Sequence, residues 1–408
     1  MHPFASLDGM RRSQQSWTDK NSSRGLCLLA LDDRQGNSSR RGASLPQYLY
    51  SDVIAPFLQF HGPQPGQLYA LGGRNEEQEP LDTVEMFDTW HGRWMTCPSM
   101  LRHRAGSSAA TLPDGRLMVV GGYDNGGIVT GLLDSCEVFD PVKQTWTECE
   151  AKLQRPRWGH GCAFLGDCVY CAGGCSLRDG SPAHEAFMET LRSCEVFDPV
   201  AGIWSMCPDL NIGRAGARVV ALGEHHLAVV GGCDDVFGRA ELLQSVELLD
   251  IRRPSAGWVL LTTQLSTPRT TAAVAALDDH QILIIGGAPS LASAELYSVR
   301  DKNASLDAGS PTAHVSSMTE GRMGCQAACL NLPSPGKDFP ICDRRCVVVV
   351  GGESGDDELE SQIRQFSSVL VYDVEDGKWL PSHYFPPIPT PRTAMALCVA
   401  PGCIHGHL

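Results

Sequence analysis

Six arginines stand in the same local setting, each opening an apolar stretch: Arg104-Ala-Gly, Arg157-Trp-Gly, Arg214-Ala-Gly, Arg269-Thr-Thr, Arg322-Met-Gly and Arg392-Thr-Ala. A guanidinium presents a planar fork of donors that matches a carboxylate bidentately, so a repeated arginine is equipped to bind acidic groups. Carboxylates also repeat within the chain, at Glu85, Glu137, Glu195, Glu247 and Glu295. Two outcomes are open: the arginines meet an acidic ligand, or they tie their own loops together by pairing with these glutamates. Trp158 and His160 interrupt the pattern in one unit, where they could add a stacking surface and a donor or simply pack the loop.

Metal and redox chemistry find less support. Cys168, Cys171 and Cys175 look like the start of a zinc site, and Cys325 with Cys329 like another fragment. Cys168 and Cys171 share one apolar strand, however, and an odd spacing sends their side chains to opposite faces. Paired ligands at metal-site spacing are missing, so no metal and no cofactor are expected. A chain with 17 cysteines and no signal sequence is expected to keep them as reduced thiols, in the cytoplasm or the nucleus. Cys27 to Leu31 is too short for a signal-sequence core, and no run approaches the roughly 20 apolar residues of a membrane span. No Walker-type phosphate loop is present.

The elements that must position these residues follow from a repeat. An apolar run ending in a glycine pair occurs six times, at Gly72-Gly73, Gly121-Gly122, Gly173-Gly174, Gly231-Gly232, Gly286-Gly287 and Gly351-Gly352, with spacings of 49, 52, 58, 55 and 65 residues. The runs (LYAL, RLMVV, DCVYCA, HLAVV, QILII, CVVVV) are continuous rather than alternating, as strands buried on both faces require. A further strand follows each pair and ends in an aromatic residue or Leu. In four units a Trp comes seven residues later: Phe87 to Trp94, Phe139 to Trp146, Phe197 to Trp204 and Tyr372 to Trp379. The fourth unit stretches this interval to nine, Leu249 to Trp258, and the fifth has lost its Trp. Asp140-Pro141 and Asp198-Pro199 supply the turn between aromatic and Trp. With the arginine-led strand ahead of each apolar run, every unit has four strands.

Glycine pair, aromatic, Trp and Arg-x-Gly opening together resemble the kelch repeat, over roughly residues 67 to 401, and the spacings average close to the about 50 residues of such a unit. The resemblance implies an all-β, six-bladed propeller of four-stranded blades. The first unit begins at its second strand while the chain ends in an unpartnered first strand, Thr393 to Val399, so the C-terminal strand is expected to close the ring and leave no blade edge open. Residues 298 to 318 and a loop at 333 to 345 depart most from the repeat. Residues 1–43, rich in Ser, Arg and Gln, read as a disordered tail, and 402–408 as a C-terminal tail. Residues 44–66 read as a short helical lead-in, of which 44–60 resemble the Leu-Pro opening of an F-box. An F-box needs more than twice that length, so a helix packed on the propeller is the default, and no room is left for a BTB domain.

Between glycine pair and aromatic the intervals vary, at 14, 17, 23, 17, 10 and 20 residues, whereas aromatic to Trp is mostly seven. Variable length thus collects on the face where the arginines lead in, and loops on a rigid scaffold are where recognition usually sits. In receptor kelch domains, Arg at this kind of position helps hold acidic or carboxylate-bearing peptides, which the resemblance implies for Arg104, Arg157, Arg214, Arg269, Arg322 and Arg392. Two rim loops, 74–82 and 353–360, are acidic. The net charge of −14 becomes −17 once the +3 of residues 1–43 is set aside, which disfavours a nucleic-acid partner. The expected function is a protein-interaction module, a substrate-recruiting adaptor that joins a ubiquitin ligase subunit. An actin or cytoskeletal scaffold and a propeller enzyme such as a sugar mutarotase, with Arg and Glu as acid and base, are the alternatives.

Overall fold

The six apolar runs form the second strands of six four-stranded antiparallel sheets in the computed structural model, which describes residues 66–89, 91–178, 187–236, 241–299, 312–333, 344–355 and 363–400. Blade 2 is typical, with strands Ser108–Thr111, Leu117–Val120, Cys136–Asp140 and Thr145–Glu148 in that order. Blade 3 holds Gly161–Leu165, Cys168–Ala172, Cys194–Asp198 and Ile203–Cys207, and blade 4 opens with Arg218–Leu222. Leu117, Met118, Val119 and Val120 are all fully buried, as a continuous apolar strand between neighbouring blades should be. Each blade packs on the next through a shared apolar cluster. Tyr69 and Leu71 of blade 1 meet Leu117, Val119 and Phe139 of blade 2, and the series ends with Val348 and Val350 of blade 6 against Leu68 and Phe87 of blade 1.

Ring closure follows the expected route. Ala396–Ala400 pairs antiparallel with Gln67–Leu71, in a register running from Gln67 opposite Ala400 to Leu71 opposite Ala396. Blade 1 therefore takes its inner strand from the far end of the propeller sequence. The six inner strands touch one another in a closed cycle around the axis.

A second closure lies in the backbone. The N–H of Gly159 donates to Gly106 O, Gly216 to Gly159, Thr271 to Gly216, Gly324 to Thr271, Ala394 to Gly324 and Gly106 to Ala394, all at 2.8–3.0 Å. These residues are the third positions of the six Arg-x-Gly openings, and all six have positive φ, from +52° at Ala394 to +66° at Gly216 and Gly324. Glycine adopts that conformation without strain, which is why four openings carry it. Thr271 and Ala394 adopt it because the circuit requires it.

Trp94, Trp146, Trp204 and Trp379 pack against the aromatic partner of their own blade, edge-on for Phe87 and Trp94 with centroids 5.5 Å apart and tilted for Phe139 and Trp146 at 5.0 Å. Four of the repeated indole N–H groups reach the connector from the preceding blade: Trp94 donates to Pro386 O, Trp146 to Pro98 O, Trp258 to Pro208 O and Trp379 to Ser316 O. The long interval before Trp258 is taken up by a 3-10 turn, Pro254–Ala256, so that this ring is still buried. The tail over 1–43, nearly all of the lead-in over 44–66 and the 402–408 segment lie outside the described residues. Among the described residues no helix is long and apolar enough to cross a membrane.

Ending the chain after Met395 deletes the closing strand and leaves blade 1 with three strands. The expected outcome is loss of a single cooperative melting transition, with self-association through the exposed edge, read by calorimetry and light scattering. Unchanged melting would show that the ring does not depend on this strand.

Candidate functional site

The arginine side chains run into the body of the blades. All six are between 0 and 2 % exposed. Arg104 donates from Nε to Glu137, from Nη1 to the carbonyls of Gly121 and Ser135, and from Nη2 to the Ser135 hydroxyl, at 2.8–2.9 Å. Arg214 repeats the set with Glu247, Gly231 and Ser245, Arg157 with Glu195, Gly173 and Ser193, and Arg269 with Glu295, Gly286 and Ser293 O. Arg392 reaches Glu85, Gly72 O and Thr83 of blade 1, which fastens the closing segment. In blade 6 the position of the repeated glutamate is Leu370, and Arg322 takes Glu320 and Ser368 instead. The glutamates are saturated too, since Glu137 also accepts the Leu101 N–H and Glu247 that of Asn211.

The expectation that Arg104, Arg157, Arg214, Arg269, Arg322 and Arg392 contact a partner is therefore corrected. Each guanidinium is enclosed and already bonded to a carboxylate, so an acidic ligand has no access there, even to the Arg157 Nε that is left without a partner. The main chain of these residues is equally occupied: Gly73 N–H donates to Arg104 O and Gly122 N–H to Arg157 O, and the other four units repeat the bond. A Cβ on Gly72 would stand 2.4 Å from Arg104 O, so a bare Cα is required at the glycine pair. Burial pulls the guanidinium pKa down at Arg214, Arg322 and Arg392, with Glu247, Glu320 and Glu85 among the groups opposing it.

What faces the axis is the next few residues of each opening. A cavity of about 240 Å³ at the arginine-led end is lined by residues from every blade, among them Ser107, Tyr123, Trp158, His160, Arg218 and Thr393. Polar atoms with no oxygen or nitrogen partner among the described residues gather here: Ser107 Oγ, Trp158 Nε1, both His160 ring nitrogens, Arg218 Nε and Thr393 Oγ1 are all buried and unmatched. Native interiors leave few such atoms, so their concentration around one cavity marks it out. Arg218 has one weak contact, from Nη2 to Cys325 O at 3.4 Å, and burial holds its pKa below the ordinary value. Trp158 packs edge-on against Tyr123, with ring centroids 5.9 Å apart, and on Cys175, Ala215 and Cys233. At the rim Arg74 is paired with Glu353 at 2.9 Å, and Glu76, Glu77 and Glu79 are exposed. Residues 356–362 of the second acidic loop lie outside the described residues.

Trp158 and His160 thus reach the axis as members of the leading loops, whereas Arg218 and Tyr123 were not singled out from the sequence. A signal for Arg218 exists. The fourth residue after each repeated arginine reads Ser108, Gly161, Arg218, Ala273, Gln326 and Ala396, and one of the six is charged.

Six four-stranded blades, glycine pairs, stacked Trp residues and buried Arg-Glu ties define a kelch-type propeller with an axial cavity. The family model for the KLHDC2/KLHL20/DRC7 Kelch-repeats domain matches residues 64–287, more than half of the chain, and the protein belongs to that family. Kelch-like protein 23 of Homo sapiens is 25% identical over 315 residues, covering 76% of this chain and 47% of the relative. Alpha-scruin of Limulus polyphemus is 24% identical over 190 residues, or 46% of this chain and 20% of the relative. The chain spans about half the length of Kelch-like protein 23. A solved structure, that of YjhT, superposes with a TM-score of 0.54 at 16% identity, covering 78% of this chain and 97% of that one, which bears on the fold alone.

Removing one partner of a buried ion pair strands the other, at a cost of about 3–5 kcal/mol. Arg104→Ala is expected to lose stability on that scale in urea unfolding, and Arg104→Met with Glu137→Leu to recover part of it. Wild-type stability in Arg104→Ala would contradict the structural role.

Proposed function

We propose that this propeller is a protein-interaction module whose axial mouth grips a carboxylate-bearing segment of a partner protein, and that the captured protein is passed to a ubiquitin ligase through a separate subunit. Kelch-repeat relatives support the general role of holding proteins. The observation that carries the specific reading is the set of unmatched buried donors around the cavity, with Arg218 as its under-bonded cation. A carboxylate entering the mouth would gain charge-assisted bonds from Arg218, a donor from the Trp158 indole and hydroxyls from Ser107 and Thr393. The Tyr123 and Trp158 rings supply apolar area beside them. The cavity suits one or two side chains or a chain end rather than a folded surface, so the exposed loops around it would carry the rest of the contact. The ligase connection rests on the resemblance to receptor kelch domains, and the F-box-like residues 44–60 lie outside the described structure.

Affinity capture from cell extract with the full chain, beside Arg218→Met and Trp158→Ala matched for melting temperature, tests this reading. A charge-assisted bond contributes about 1.5–3 kcal/mol, so Arg218→Met is expected to weaken a captured acidic peptide about 10- to 100-fold. Ligase subunits retained by both variants would support the adaptor role. The same proteins held with the same affinity by Arg218→Met and wild type would sink the axial-mouth reading.

A further inference from the structure

Beside the cavity, in the interface of blades 2 and 3, His160, Cys162 and Cys171 bring a ring nitrogen and two sulfur atoms within 4.8 Å of one another. The local chain explains why. His160 and Cys162 are two apart in extended backbone and so share a face. Cys171 faces Cys162 directly across the hairpin Gly161–Leu165 and Cys168–Ala172. Its two-residue turn, Gly166-Asp167, has positive φ at both positions, 55° and 67°. That turn makes Leu165 and Cys168 a hydrogen-bonded pair, and alternation along the ladder leaves Cys162 and Cys171 at a non-hydrogen-bonded site, where side chains stand closest.

All three groups are buried, at 1, 8 and 0 % exposure. Among the described residues neither His160 nitrogen finds an oxygen or nitrogen partner, and the ring instead faces the Cys171 sulfur. The surroundings are apolar, with Val120, Val169, Phe197 and Trp204 in the same cluster as the two thiols.

We propose that His160, Cys162 and Cys171 form a binding site for one thiophilic d10 cation, Zn2+ or Cu+. Thiolate and imidazole are the donors such ions prefer, and no oxygen ligand is in the group, which disfavours Mg2+ and Ca2+. Metal–sulfur and metal–nitrogen bonds of about 2.0–2.3 Å require donors roughly 3.5–4 Å apart, so the three atoms need to draw in by about an ångström at most. Binding replaces the two thiol protons, which leave to solvent, and the ion then bonds to two thiolates and one neutral imidazole. With Zn2+ the site is neutral and keeps a fourth position for a further ligand. With Cu+ it carries one negative charge beside the Arg157 guanidinium, which interacts with Cys171. The expectation of no metal rested on pairs read along single strands. Here one ligand pair lies along the chain and the third ligand comes from across a hairpin.

The full chain, prepared anaerobically with reduced thiols, is titrated with Zn2+ and separately with Cu+ against a competing chromophoric chelator, and with Co2+ as a spectroscopic probe. One equivalent is expected to bind with thiolate-to-cobalt charge-transfer bands, and the tighter of the Zn2+ and Cu+ arms identifies the ion. Cys162→Ser, Cys171→Ser and His160→Gln should each weaken that equivalent at least 100-fold, while Cys168→Ser, on the same hairpin, retains it. In wild type the metal should raise the melting temperature and shield Cys162 and Cys171 from alkylation, a readout independent of whether the variants fold. No uptake by wild type, uptake unchanged in both cysteine variants, or a Cys162–Cys171 disulfide whose reduced form takes up no metal would each overturn the proposal.

Discussion

A guanidinium buried in every blade is the constraint on which this ring depends. Each repeated arginine closes its own blade by joining the carbonyl of a paired glycine to a serine or threonine and, in five of six blades, to the third-strand glutamate. Its carbonyl meanwhile holds the glycine pair of the blade before it. Two residues on, the same loop joins the circuit of N–H to O bonds around the axis. One short motif therefore sets the blade interior, the blade-to-blade contact and the axial ring together. Charges taken out of water are costly unless fully bonded, and the arrangement holds because every donor of Arg214, for example, has somewhere to go.

That economy also made the motif misleading in the sequence. Blade number, strand order, the stacked Trp residues and closure by the C-terminal strand were all legible, because each rests on local patterning repeated at a fixed period. The destination of the arginines was not. Pairing with the repeated glutamates and reaching for a ligand both predict the same residues at the same spacing, and only the side-chain direction separates them. The drift in blade 6, where Glu320 replaces the missing strand glutamate, shows the bond to be what is kept rather than the residue. Arg218 and Cys162 escaped notice for the opposite reason, and His160 and Cys171 were noted without being joined to each other. They occur once, and a reading tuned to repetition passes over single departures.

The axial cavity and the metal-ligand cluster share a physical origin. Near the axis the inner strands converge and the six leading loops are held at fixed φ by the circuit, so side chains there cannot relax to find partners. Ser107, Trp158, Arg218 and Thr393 are left with unmatched polar atoms because the scaffold is rigid. Such atoms lower stability and are preorganised for whatever enters.

Gln67 and Ala400 lie directly opposite each other in blade 1, at the end of the strands remote from the glycine pairs. The chain therefore enters and leaves the ring at one place, on the side turned away from the axial mouth. Sequence joined to either end pulls on a single anchor point, and load applied there runs across a paired strand instead of through the opening. Both ends of the ring thus share one anchor, and the glycine-pair end of the blades carries neither of them.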